Sequence, residues 1–323
     1  AEQSSINTQL GVSGSGDLEA QVPQTTRAIS PSVTYNLTEK NAIQLGYSYL
    51  DVTFDSAPNL GYSDYDNQQY TATLIHNYSD RLSFNLTGAY SDFNSSYDLS
   101  SNTNLLVFRI PTEQNYSTSY AQTSTSFLYQ AGLQYLFDEK TQFSISAGMR
   151  DTENTTRQIQ TVFYNPEIAP IAVNDSQAIE DTSNTSGHVF SANLSRKTEW
   201  GNFAVNAGQQ LNPSSSGTQQ QSTTFSGKVF YALDERWTTG LDATYLTTES
   251  TSGSESFGIN QESNNRTYIT ISPNLRWSWT PEVNLVLTYS YRQQDYDSTN
   301  QSAVSNNLQL TFSYQPQINR QVK

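Results

Sequence analysis

The chain has 323 residues, 35% of them apolar and 14% charged, with a formal net charge of −14 and no cysteine. A mean hydropathy of −0.62 would suit a disordered polymer, but 21 Tyr, 14 Phe and 4 Trp are too many aromatics for a solvated coil. Disulfides and thiolate metal sites are excluded. Nucleic acid is excluded as a partner because no basic stripe answers its phosphates, and no run approaches the ~18 apolar residues of a membrane-spanning helix.

The opening "AEQSS" reads as the start of an exported chain after removal of a leader. Alternation of apolar and polar residues then predicts fourteen strands, over 4–13, 26–37, 42–54, 66–78, 82–93, 119–137, 142–152, 185–197, 202–211, 220–233, 237–249, 264–279, 283–296 and 304–315. In "VNLVLTYSYR" one face carries Val283, Leu285, Leu287, Tyr289 and Tyr291, and the other carries Asn284, Val286, Thr288, Ser290 and Arg292. Pro31 and Pro273 weaken two of these strands locally, since proline donates nothing to a ladder. Short charged turns near 38–41, 79–81, 138–141, 198–201, 234–236 and 280–282 alternate with long connections rich in Ser, Asn, Gly and Asp. Those connections lie near 14–25, 55–65, 94–118, 153–184, 212–219, 250–263 and 297–303. All tight turns therefore share one end of an up-and-down sheet, and both termini fall there, with 316–323 as a short tail.

That combination predicts an all-β transmembrane up-and-down antiparallel β-barrel of about 14 strands, one domain over 1–323 in a Gram-negative outer membrane. Short turns would be periplasmic and long loops extracellular. Tyr78, Phe137, Trp200, Phe203, Trp237, Trp277 and Trp279 lie within a few residues of the charged turns, where amphipathic rings prefer the membrane–water boundary. A second set, including Tyr49, Tyr90, Tyr245 and Tyr291, follows eight to ten residues along each strand. On tilted strands that span is about 25 Å, the height of the apolar band. A propeller would repeat evenly, and a soluble solenoid needs no aromatics at two fixed heights.

Little in the sequence points to catalysis. His76 and His188 share the outward parity of their strands, sit far apart in the strand order and have no nucleophile motif beside them. An enzyme is therefore not expected, nor a metal centre or other cofactor. The acidic stretches "YSDYDN" (62–67) and "DYDST" (295–299) have loose calcium-ligand spacing, with solvated loop charge as the commoner explanation. The lumen is the candidate site: inward parity assigns to it Asn85, Thr87, Ser144, Ser146, Asn193, Asn206, Lys228, Asp242, Thr244, Asn274, Arg276, Thr288 and Arg292. Neutral amides donate and accept hydrogen bonds together, which suits sugars or water. Lys228, Asp242, Arg276 and Arg292 fall on sequential strands, either as a transverse field or as internal pairs. Two long connections carry apolar content, "LLVFRIP" (105–111) and "TVFYNPEIAPIAV" (161–173). The second, with Phe163, Ile168 and Ile171, is expected to fold inward as a constriction, with an extended hairpin outside the membrane as the alternative.

The phrase "SPSVTYNLTEKNAIQLGYSYLDVTFD" (30–55) and its later copies resemble a group of porin-like outer-membrane barrels often associated with exopolysaccharide or extracellular-sorting loci. The chain departs from the usual terminal aromatic, since "LQLTFSYQ" (308–315) is followed by "PQINRQVK". The resulting expectation is a channel in contact with outer-membrane lipid, passing hydrophilic solutes or polysaccharide, with room for a partner protein or a homo-oligomer. The competing expectation is a structural or binding barrel with an occluded lumen and partner-recognising loops.

Overall fold

The computed structural model describes residues 2–4, 23–54, 63–107, 110–166, 174–213, 219–250, 265–296 and 301–315. Fifteen strand segments follow one another: β1 (Glu2–Ser4), β2 (Pro23–Ile29), β3 (Ser32–Asn36), β4 (Asn41–Phe54), β5 (Asp64–Asn77), β6 (Leu82–Val107), β7 (Ile110–Asp138) and β8 (Thr141–Pro166). Then come β9 (Asn174–Thr198), β10 (Gly201–Pro213), β11 (Gln219–Ala232), β12 (Trp237–Ser250), β13 (Arg266–Ser278), β14 (Val283–Tyr296) and β15 (Gln301–Tyr314). All belong to one antiparallel meander with sequential neighbours paired, β3 sharing β4 with β2. Counting β2 and β3 as one strand interrupted before Ser32 gives fourteen, in an outer-membrane β-barrel.

Proline marks both irregularities. Pro31 separates β2 from β3, although its carbonyl still accepts from the Tyr47 N–H at 3.0 Å. Pro273 stays paired with Leu241, while the β13–β14 ladder skips from Ile271↔Tyr291 to Asn274↔Thr288.

The six tight turns occur where the charged residues cluster, because the side chain at or near the end of the first strand organises the reversal. Thr38 Oγ1 accepts from the N–H groups of Lys40 (3.2 Å) and Asn41 (3.0 Å). Ser79 Oγ does so for Leu82 (3.1 Å), Asp138 Oδ1 for Lys140 (2.8 Å), and Thr280 Oγ1 for Val283 (3.1 Å). Asp234 Oδ1 takes two, from Arg236 and Trp237, each at 2.7 Å. These are Asx and Ser/Thr turns, in which a short polar side chain replaces a backbone acceptor. The remaining turn is tighter, and the Thr198 hydroxyl donates to the Gly201 carbonyl at 2.9 Å. A Cβ at Gly201 would lie 1.9 Å from the Phe230 carbonyl oxygen, so only glycine permits that approach.

The outward face is apolar and exposed: Leu45, Leu74, Leu86, Met149, Val229, Leu241 and Leu287 are 41–56% accessible. Lipid, not water, suits such a band. Rings bound it at both heights. At the tight-turn end Trp237 and Trp277 stack at 5.4 Å, Trp277 and Trp279 at 6.0 Å, and Trp200 meets Tyr231 at 5.0 Å. Tyr78 and Phe137 are exposed at the same end. Higher up, Tyr47, Tyr70, Tyr90 and Phe127 form a continuous row with centroid separations of 5.0–6.3 Å, and Phe190, Phe225 and Tyr245 continue it across the other wall.

Three features differ from the sequence expectation. First, β6–β9 run on far beyond their neighbours. β5 pairs with β6 only to Ser96, and β10 pairs with β9 only to Ser191, yet the inner ladders reach Val107↔Ile110, Thr112↔Pro166 and Phe163↔Asn174. The connections expected near 94–118 and 153–184 are thus the two hairpins of a four-stranded arm, projecting on the order of 35–55 Å at ~3.3 Å per residue. Second, the strand expected over 4–13 is described only at Glu2–Ser4, which pairs with Pro23–Thr25 at the long-connection end, not at the tight-turn end. Third, among the described residues no ladder joins β15 to β1 or β3, and both β3 and β15 are exposed on their two faces.

Candidate functional site: the inner face of the barrel

Alternation that sends leucine outward sends amides and hydroxyls inward, and strand register aligns them into rings. Thr73 and Thr87 share a hydrogen bond at 3.0 Å, the Ser91 hydroxyl donates to Asn67 Oδ1 at 3.0 Å, and Ser126 meets Thr152 at 2.9 Å. Gln130 reaches Ser146, which bonds Ser191, and Asn193 donates to Asn206, which in turn donates to Ser226. Ser272 and Ser290 close the far side at 3.1 Å. Asn85, Thr87, Asn193, Asn206, Lys228, Asp242, Asn274, Arg276 and Arg292 all lie on this face by register. The Lys228 ammonium sits 3.1 Å from the Asp242 carboxylate on the neighbouring strand, so these two charges largely cancel. Arg276 and Arg292 are exposed on the same face and make no ion pair among the described residues.

Toward the long-connection end the inner face becomes packed. Val52, Phe54, Tyr65 and Phe93 form a buried apolar cluster on β4, β5 and β6, with Phe93 fully inaccessible. Opposite them β10 parts from β9 above Gly208, while β11 stays paired with β12 as far as Gln220↔Ser250, and the top of the β10–β11 hairpin turns inward. Its residues Gln219 and Gln221, which face outward lower on the same strand's parity, instead meet the far wall. The Ser124 hydroxyl donates to Gln219 Oε1 at 2.8 Å, and Arg150 Nη2 donates to Gln221 Oε1 at 3.0 Å. Both bonds skip the intervening strands and cross the interior. Below the hairpin lies a cavity of about 380 Å³ lined by Asn67, Gln69, Ser91, Gln130, Arg150 and Gln210 among others.

Of the residues expected to constrict the lumen, only Phe163 is described. Phe163 pairs in register with Asn115 and Asn174 high on the arm, and Ile168 and Ile171 lie outside the described residues. The inward element is β10–β11, whose outer connection is the shortest of those predicted before the last. The run "GTQQQ" was its legible signal: unbranched amides at both parities, suited to burial on two faces. Arg150 was legible too, since it shares the parity of Gln142, Ser144 and Ser146.

The histidines stay on the outer face. His76 bonds Asn41 Oδ1 at 2.8 Å beside a tight turn, and His188 pairs with Met149. Among the described residues no group of three or more His, Asp or Glu gathers as a metal site. Asp64 accepts from the Phe54 N–H at 2.8 Å, and Asp295 from Gln293 at 3.0 Å.

No protein-family model matches the chain, and no curated protein does. Solved structures similar to it include the CymD monoaromatic hydrocarbon channel, at 12% identity and TM-score 0.42 over 91% of this chain and 87% of that one. A FadL homologue of Pseudomonas aeruginosa gives 10% identity and TM-score 0.41 over 91% and 76%. The outer-membrane ferripyoverdine receptor of Pseudomonas aeruginosa gives 10% and 0.42 over 91% of this chain, which spans about half (52%) of that receptor's length. Similarities at this level bear on no individual residue of the inner face.

Proposed function

We propose that the protein is an outer-membrane channel for hydrophilic solutes, polysaccharide chains among them, with no catalytic role. One observation carries this reading: the inner face is lined with neutral amides and hydroxyls hydrogen-bonded ring to ring, while the outer face is apolar. Such a surface exchanges hydrogen bonds with a passing hydroxylated solute at little net cost, because each group donates and accepts. The β10–β11 hairpin narrows the outer half, joined to the far wall by two neutral-acceptor bonds and to its own wall by the β11–β12 ladder. Purified protein in liposomes should admit small sugars in an osmotic swelling assay, with rates falling steeply as the sugar lengthens. Vesicles that hold folded barrel and swell no faster than empty ones contradict the channel.

The arm favours a second reading, a barrel that recognises a partner protein. Four strands standing tens of ångströms above the membrane, with unpaired edges at the upper parts of β6 and β9, form a platform that a passive pore does not need. An arm-deleted barrel that swells like the whole protein keeps the channel reading. Retained insertion with lost permeation favours the other.

A further inference from the structure

We propose that Arg150 is the anchor of a binding subsite for a carboxylated, hydroxyl-rich solute, a sugar acid, inside the barrel. Arg150 is 4% accessible, and one nitrogen, Nη2, donates to Gln221 Oε1 at 3.0 Å. Its Nε and Nη1 have no hydrogen-bond partner among the described residues. A buried cation with unmet donors is costly, and proteins answer it with a carboxylate or a bound anion. Here the chain carries 30 Asp and Glu, yet among the described residues no carboxylate lines the cavity at Arg150. Asp151 and Glu153, its neighbours on β8, have the opposite parity and point to the outer face. In a protein of net charge −14, an uncompensated interior arginine is a device for attracting anions.

The rest of the cavity decides which anion. Its volume of about 380 Å³ is within the roughly 300–1,000 Å³ of small-molecule sites. Asn67, Gln69, Gln130, Gln210 and Ser91 supply donors and acceptors for hydroxyls, while Leu128 and Val189 offer apolar area to C–H faces. The second Nη2 hydrogen with that of Nε or Nη1 offers a fork that matches a planar carboxylate in two parallel N–H···O bonds; phosphate can use the same fork but brings no hydroxyl-bearing ring to the surrounding amides. Together these select a sugar ring bearing a carboxylate over a neutral sugar or a bare anion. The subsite deepens the channel reading and rests on it for its route in and out, but binding itself does not require conduction.

Isothermal titration calorimetry on the full-length barrel in detergent micelles tests this, with glucuronate, glucose, acetate and inorganic phosphate as the probes. Glucuronate should bind saturably, at least tenfold tighter than glucose, acetate or phosphate. Arg150→Gln should weaken glucuronate at least tenfold and leave glucose unchanged. If that variant does not fold by circular dichroism, Ala89→Leu fills the cavity, leaves the guanidinium in place and should weaken glucuronate at least fivefold. Wild-type binding of glucuronate no tighter than glucose, acetate or phosphate overturns the proposal, as does equal glucuronate affinity in Arg150→Gln or in Ala89→Leu. A barrel that binds glucuronate but fails the swelling assay keeps the subsite and loses the channel, and the reverse result loses only the subsite.

Discussion

Asp138 shows how much one side chain decides at a turn. The Lys140 N–H donates to its carboxylate at 2.8 Å, and this bond chiefly holds its pKa below the ordinary carboxylate value. A depressed folded-state pKa adds stability that is fully present above the ordinary Asp range, near 4, and is lost as pH falls through the folded value. Urea unfolding of Asp138→Asn should therefore match wild type more closely at pH 3 than at pH 7. A gap that is equal at both pH values contradicts the assignment. Inside the barrel, Lys228 and Asp242 neutralise each other, whereas Arg276 and Arg292 make no ion pair among the described residues. Asp242→Asn should move ion selectivity toward anions, and replacing both arginines with Ser should move it toward cations, read as opposite shifts in reversal potential. At the membrane boundary, Trp277 stacks on both Trp237 and Trp279. Trp277→Ala removes two aromatic contacts and should cost about 1–3 kcal/mol at ~0.5–1.5 kcal/mol each, seen as a lower denaturant midpoint at unchanged slope.

At the scale of elements, the turns were the most legible part of the sequence and the outer ends of strands the least. A tight turn has a local cause: Thr38, Ser79, Asp138, Asp234 and Thr280 each bond backbone two or three residues on. Parity along a membrane strand is just as local: Asn193, Asn206 and Ser226 meet across neighbouring strands, and Lys228 meets Asp242. The arm stood in the sequence only as the extended-hairpin alternative, because its strands stand in water on both faces. Segments such as 111–126 are polar at both parities, and a strand with two wet faces has no period-two hydrophobic signal. The inward bend of β10–β11 left only the local trace of "GTQQQ", because its partners are distant. Gln219 is buried and Gln221 half-buried through contacts with Ser124 and Arg150, which lie 95 and 71 residues away in sequence. Replacing 98–118 and 156–182 with short Gly/Ser turns removes the arm, and the barrel should fold with little loss of stability, because loop-closure entropy changes slowly with length. Retained heat-modifiable migration on gels checks this, and its loss would show that the arm nucleates the barrel.

At the scale of the molecule, three environments sort one composition. Leucine and aromatics face lipid, amides and hydroxyls face the interior, and the acidic excess concentrates where the chain meets water. The interior is neither a filled core nor an open tube. It is polar throughout its lower part, apolar at Val52, Phe54, Tyr65 and Phe93, and crossed by a hairpin on two hydrogen bonds. Conduction through that interior is the central claim, and single-channel recording in a planar lipid bilayer tests it most directly. Wild-type protein should give discrete steps, and Gln219→Ala combined with Gln221→Ala should raise the unit conductance at least twofold by releasing the hairpin. Folded, inserted barrels that carry no current in either form would contradict the account.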